Sequence, residues 1–86
     1  MPTIGHIGSR DVMMFRNDHD PPHFHVIGNE FSATFTIDGC VLLSSKGRIR
    51  RRDIRDVEEW GQKHQNALHL NWRLARTGKP PQKIVD

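Results

Sequence analysis

The sequence predicts an α+β fold in which one small antiparallel sheet of three to five strands packs against one long C-terminal helix. Over residues 31–37 apolar and polar residues alternate, which is typical of a strand with one buried face. Over residues 51–77 apolar residues recur every three or four positions without a proline, which is typical of an amphipathic helix. The length of 86 residues allows one domain. We therefore expect a single domain over residues 1–86, with a strand-rich part (1–50), the helix (about 51–77) and an extended tail (78–86).

The first half of the chain predicts short strands separated by turns. Two adjacent prolines exclude helix at the end of residues 17–22 and predict an extended loop there. The glycine-containing turns at residues 28–29 and 38–39 are typical of hairpin connections. The predicted strands cover residues 11–16, 23–27, 31–37 and 40–43, with a further short strand at 48–50.

The second half predicts one uninterrupted helix that packs on the sheet. Asp53 is expected to cap its first turn, and Gly78, followed by Pro80 and Pro81, marks its end. The apolar stripe of the helix contains Ile54, Val57, Trp60, Leu68 and Trp72. The sheet face that it should cover contains Phe24, Val26, Phe31, Phe35 and Ile37.

Composition and cysteine content narrow the class of protein. A fold of this size has no room for a separate cofactor domain, which excludes a large multi-substrate enzyme. The single cysteine, Cys40, cannot form an internal disulfide, which indicates a reducing compartment. No apolar run approaches the ~20 residues of a membrane span, and the chain begins without a secretory signal. We expect a whole cytoplasmic protein that does not contact a membrane.

Three of the six histidines fall within residues 19–25. On a strand, His23 and His25 point to the same face about 6.6 Å apart, and Phe24 and Val26 point to the other face. The prolines before His23 stiffen the link to His19. Imidazole serves proton transfer, metal ligation and phosphate contact near neutral pH.

Three interpretations of these histidines remain open. In the first, His19, His23 and His25 hold zinc and the protein is a small zinc-dependent hydrolase. In the second, the same histidines act as acid and base in a ribonuclease-like reaction that needs no metal or other cofactor. In the third, the rings are structural and brace the proline loop.

A cluster of positive charge precedes and opens the predicted helix. Within residues 46–55 six residues are basic and one is acidic, in a chain whose net charge is +3. Such a cluster suits RNA or another polyanion, although it also suits a solvated edge strand that resists aggregation. The candidate phosphate-binding residues are Lys46, Arg48, Arg50, Arg51, Arg52 and Arg55.

A partner-binding surface is expected on the histidine face of the sheet. Met13, Phe15 and Ile27 share that face with the histidines, and one helix cannot cover both faces. Apolar groups exposed among polar ones are typical of a protein interface, either with a different protein or with a second copy of the chain.

Several of these motifs also resemble a known family. They are Asp-His-x-Pro-Pro-His-Phe-His-Val over residues 18–26, and Trp60 with His64, Leu68, Asn71 and Trp72. They resemble a family of small bacterial domains of unknown function whose members look like the DhiT toxins of type II toxin–antitoxin modules. The resemblance implies a partner, a small antitoxin-like protein encoded nearby.

The leading hypothesis is a toxin-like protein that acts on RNA or the translation machinery and is neutralised by its partner. His23 and His25 would act as acid and base or contact phosphate, His19 would assist them, and the basic residues would supply affinity. The alternatives are a non-catalytic module that binds protein or nucleic acid, and the zinc-dependent hydrolase.

Overall fold

The computed structural model describes residues 3–16 and 19–85 and contains an antiparallel sheet with two helices on one face. The strands are β1 (Thr3–Ile7), β2 (Arg10–Met13), β3 (His23–Ile27), β4 (Phe31–Thr36) and β5 (Leu42–Gly47). The helices are α1 (Arg51–Lys63) and α2 (Gln65–Arg76). Each strand pairs with the next along the chain, so the spatial order is β1-β2-β3-β4-β5. The predicted α+β class with an antiparallel sheet is confirmed.

The alternation of β3 and β4 places their apolar side chains in the core. Phe24 lies opposite Phe35 in the register of these strands, and Val26 lies opposite Ala33. The rings of Phe24 and Phe35 stack at 5.9 Å, and neither side chain is exposed. Because successive strand residues point to opposite faces, the polar residues between them line the other face. His25, for example, lies opposite Thr34.

We call that other face the open sheet face, because the apolar residues of both described helices pack mainly against the opposite one. Trp72 of α2 reaches the margin of the open sheet face at His23. The register of the four strands β2 to β5 assigns its members on these strands. They are Asp11, Met13, His23, His25, Ile27, Ser32, Thr34, Thr36, Ser44 and Lys46.

The strand β1 lies at the edge of the sheet and is absent from the sequence-based prediction. Its glycine, Gly5, weakens the apolar pattern, so the segment carries little strand signal. The tail covers its outer side, since the backbone N–H of Ile84 donates to the carbonyl of Ile4 at 2.7 Å. The buried side chain of Asn71 fixes the tail a second time, accepting from the Gln82 N–H and donating to the Gln82 carbonyl.

The prediction of one helix over residues 51–77 is wrong, because the helix is interrupted at His64. This residue has φ −118° and ψ 30°, and it ends α1 while beginning α2. The side-chain amide of Gln65 donates to the Gly61 carbonyl at 3.0 Å and to the Ile37 carbonyl at 2.6 Å. A side chain thus binds a carbonyl that normally belongs to the helical ladder, which accounts for the break. The apolar stripe continues through it, so periodicity gives no sign of two helices.

The start of α1 also differs from the prediction. The N-cap is Arg50, and Asp53 stands three residues later, where its carboxylate accepts from the Arg50 backbone N–H at 2.9 Å. Arg10 donates to the same carboxylate and to that of Asp56. This interaction between β2 and α1 anchors the helix to the sheet. The strand predicted at 48–50 is also wrong, because those residues form no regular element.

Replacing Asp53 by alanine is expected to lower the free energy of unfolding by about 1–2 kcal/mol near neutral pH. Burial alone would raise the pKa of this carboxyl, but the Arg50 N–H and the Arg10 guanidinium hold the pKa below its ordinary value of 3.8. A carboxyl with a lowered pKa stabilises the fold above its ordinary pKa, and this contribution is lost as the pH falls through the lowered value. Urea unfolding from neutral pH to below pH 3.8 should therefore show wild type and variant converging in acid. Glu58→Ala, at an exposed position on α1, is the control and should leave the free energy of unfolding nearly unchanged. If the free energy of unfolding fell as steeply with acid pH in Asp53→Ala as in wild type, the stabilising role of the Asp53 carboxylate would be wrong.

No helix within residues 3–16 and 19–85 combines the length and the apolarity that a membrane crossing requires.

Candidate functional site

Four aromatic and histidine rings form a continuous series that starts on the open sheet face. Phe15 contacts His25 with ring centroids 4.6 Å apart, and His25 contacts His23 at 5.2 Å. His23 in turn contacts Trp72 of α2 at 5.3 Å. We call these four residues the ring row. The guanidinium of Arg76 lies 6.0 Å from the Trp72 ring centroid, so a cation stands at the end of the row.

Hydrogen bonds orient both histidines of the ring row. The Nδ1 atom of His23 lies 2.7 Å from the carbonyl oxygen of Pro21. A carbonyl can only accept, so Nδ1–H donates, and in the neutral ring Nε2 carries the lone pair. The Nδ1 atom of His25 lies 3.4 Å from the Thr34 hydroxyl. The loop before β3 and the neighbouring strand β4 therefore hold the two rings in place.

His19 differs from this pair in both position and exposure. It is exposed in the loop before β3, and its neighbours Asn17 and Asp18 lie outside the described residues. Within the described part of the chain, no three His, Cys, Asp or Glu side chains are grouped so that they could hold a metal ion. The alternative zinc site of His19, His23 and His25 is thus not assembled by these residues.

A shallow groove of about 330 Å³ crosses the open sheet face from the ring row to β5. His25 and Phe15 line one side of it, and Lys46 lines the other. The hydroxyl groups of Ser32, Thr34 and Ser44 lie on this face of the sheet. Ser45 also lines the groove, although its register partner, Ala33, is a core residue. We call it the hydroxyl groove. These hydroxyls are not among the predicted site residues, although the alternation of β4 places Ser32 and Thr34 on the histidine face.

The six basic residues predicted from the sequence are all exposed. In the sequence they come directly after the serines of β5 that line the hydroxyl groove. We call them the basic surface: Lys46, Arg48, Arg50, Arg51, Arg52 and Arg55. The Arg48 backbone N–H donates to the Glu30 carbonyl at 2.7 Å, so the surface adjoins the turn between β3 and β4. The Arg50 guanidinium pairs with the Glu30 carboxylate at 3.2 Å.

A second groove, of about 440 Å³, lies between that turn and the start of α1. Arg48, Arg50 and Arg52 line it together with Arg10, which the sequence analysis did not select. Arg10 is held by Asp53 and Asp56, so it belongs to the structural anchor of α1 as well.

The three residues predicted as a partner interface lie at the open sheet face and are half-buried. Met13 is opposite His25, and Ile27 is opposite Ser32. Phe15 is the first member of the ring row. The most exposed large apolar side chains within the sheet region are instead Val41 and Leu43, at 57% and 48% exposure, beside the irregularity in β5.

Comparison with known protein families matches residues 10–73, which is most of the chain, to the family described as "Domain of unknown function (DUF4160)". The matched segment contains the ring row, the hydroxyl groove and the basic surface. Neither a curated protein nor a solved structure matches the chain.

Proposed function

The chain belongs to the DUF4160 family, and from that premise we propose that it is a toxin-like protein whose open sheet face binds single-stranded RNA. The observation that carries the proposal is the ring row, in which Phe15, His25 and His23 lie at the open sheet face and Trp72 extends the row from α2. The matched segment includes the Pro-Pro-His-Phe-His core and the helix tryptophans on which the resemblance to DhiT toxins rests.

Rings on an open sheet provide surfaces on which unpaired bases stack. Sequence-tolerant RNA binding in other folds uses aromatic and histidine side chains in this way. Phe15 and His25 are half-buried at the edge of the hydroxyl groove, so one side of the site is apolar and the other polar. The groove hydroxyls can donate to and accept from ribose hydroxyls and phosphate oxygens.

Positive charge adjoins the same groove. Lys46 lines it, and the arginines of the basic surface continue from the end of β5 to the start of α1. Each phosphate that these side chains neutralise releases counterions, which favours binding of a polyanion over binding of a neutral ligand. An RNA strand that follows the groove would therefore place its bases near the ring row and its phosphates toward the basic surface.

We propose that His23 and His25 act as the base and the acid in RNA cleavage. A phosphate that contacts one ring can contact the other, since the ring centroids are 5.2 Å apart. In the proposed reaction Nε2 of neutral His23 takes the proton of a ribose 2′-hydroxyl, and the 2′ oxygen attacks the adjacent phosphorus. The bond to the 5′ oxygen breaks, and protonated His25 gives that oxygen its proton. The products are a 2′,3′-cyclic phosphate and a 5′-hydroxyl end.

We expect the wild-type protein to bind single-stranded RNA. The variants Phe15→Ala and His25→Ala should bind it about 5- to 100-fold more weakly, because each variant lacks one ring on which a base stacks. Fluorescence anisotropy with a labelled oligonucleotide measures this. His69→Ala is the matched control, because His69 pairs with Asp38 at 2.9 Å, outside the ring row. Equal affinity in all four proteins would overturn the proposal.

Growth assays separate cleavage from binding. Expression of the gene alone should arrest growth, and co-expression of its neighbouring gene should relieve the arrest. The double variant His23→Ala, His25→Ala should grow normally. Arrest that persists in a double variant that still binds RNA would favour the non-catalytic alternative, in which the open sheet face docks a partner without cleaving it.

A further inference from the structure

We propose that the protein has a second binding site, separate from the open sheet face, for a small molecule with an apolar body and a carboxylate group. The site is a pocket of about 370 Å³ between α2, β1, the segment after β2 and the tail. Its floor is formed by Ile4 and Met14, which belong to the buried core, and its rim by Ala75, Pro80 and Pro81. We call it the tail pocket. Its volume falls at the lower end of the range of about 300–1,000 Å³ that is typical of small-molecule sites.

Hydrogen bonds hold the tail wall of this pocket at three points. The Arg16 guanidinium donates to the Gly78 carbonyl at 3.1 Å, and the Asn71 side chain binds both backbone groups of Gln82. The Ile84 N–H donates to the Ile4 carbonyl. Between the first two points lie two consecutive prolines, which restrict the backbone further. The wall is therefore in place before a ligand arrives, and little ordering cost opposes binding.

Charge defines the class of ligand. The ionisable side chains that line the tail pocket are Arg16 and Lys79, and both are cationic. Among the described lining residues there is no carboxylate to neutralise them. The buried polar side chain at the pocket, Asn71, already uses its amide N–H groups and its oxygen within the protein. An apolar cavity with two cations and no unsatisfied amide matches an apolar carboxylate rather than an alcohol, a sugar or an amine.

Two adjacent methionines allow a direct test. Met14, the residue after β2, lines the tail pocket, and Met13, the last residue of β2, lies on the open sheet face, so their methyl groups report on the two sites separately. We expect decanoate, added to protein labelled with ¹³C at the methionine methyls, to shift the Met14 signal saturably and to leave the Met13 signal in place. Decanol and decylammonium, which share the alkyl chain, should bind more weakly.

Substitutions complete the test. Ala75→Phe should fill the pocket and abolish the Met14 shift while the melting temperature shows an intact fold. Arg16→Gln with Lys79→Gln should weaken decanoate binding about tenfold and decanol binding by a smaller factor, because Arg16 also holds the tail at Gly78. Arg73→Gln, an exposed position on the same helix, is the control and should bind as wild type does. No saturable Met14 shift would overturn the site, and equal binding of decanoate by wild type and the Arg16, Lys79 double variant would overturn the assignment to an anion. Both outcomes are independent of RNA binding.

Discussion

Replacing Gly47 by alanine is expected to lower the free energy of unfolding by about 2–4 kcal/mol, a large effect for the addition of one methyl group. Gly47 ends β5 with φ +84°, in the left-handed region that favours glycine. A Cβ at this position would also overlap the backbone carbonyl oxygen of Glu30 and lie 3.0 Å from the Cα of Phe31. These are backbone atoms in the turn and strand that β5 pairs with, so relief requires separation of β4 and β5. Urea or thermal unfolding measures the loss.

Gly78 provides a matched control for this prediction. Its φ is +72°, also left-handed, but a Cβ built on it has no neighbour within 4 Å. Gly78→Ala should therefore lose only the conformational preference, about 1–2 kcal/mol. The difference between the two variants isolates the overlap with the backbone at Glu30. Equal losses would show that the β4–β5 connection yields without cost, and the assigned close approach would be wrong.

The central strands could be predicted because apolar and polar residues alternate along them, and each apolar residue at every second position indicates the same buried face. Phe24, Val26 and Phe35 are fully buried as the alternation indicates, and the spacing of the histidines places both on the opposite face. The edge strand β1 could not be predicted in this way. Gly5 interrupts its apolar pattern, and the contact that covers its outer side joins Ile4 to Ile84, near the opposite end of the sequence.

The helical half shows a limit of periodicity. An apolar stripe indicates which helix residues face the sheet, but it does not indicate where the helix is interrupted. At Gly61 the helix approaches the sheet closely enough that a Cβ would overlap the Sγ atom of Cys40, and one turn later Gln65 binds Gly61 and Ile37. Burial raises the pKa of the Cys40 thiol, and Glu58 adds to this, so the cysteine at this contact is a packing group rather than a thiolate nucleophile.

The candidate site likewise depends both on residues close together in the sequence and on contacts between residues far apart in it. The spacing of His23 and His25 could be interpreted directly from the sequence. The contact of His23 with Trp72 and the two carboxylates that hold Arg10 could not, since each joins residues more than 40 positions apart. Trp72 was predicted first as a residue of the apolar stripe that packs on the sheet, and its ring also extends the ring row.

Arg51→Glu with Arg52→Glu is expected to weaken RNA binding about 10- to 100-fold at low salt while preserving or raising the melting temperature. Both side chains are exposed in the first turn of α1, where the backbone carries a partial positive charge. Cations there cost about 0.3–1 kcal/mol each, so carboxylates should stabilise the helix. Stability alone would not favour arginine at these positions, whereas helix-start N–H groups and guanidinium groups together suit a phosphate.

The salt dependence of affinity distinguishes a lost phosphate contact from a general change in charge. Each contact with single-stranded RNA contributes about −0.7 to the slope of log affinity against log salt, so the double variant should reduce the magnitude of that slope by about 1.4. The control is Arg73→Glu with Lys83→Glu, which changes the net charge equally at exposed positions in α2 and the tail. It should keep the wild-type slope. A wild-type slope in the Arg51, Arg52 variant would remove the basic surface from the RNA site, and a marked fall in its melting temperature would show that these arginines stabilise the fold instead.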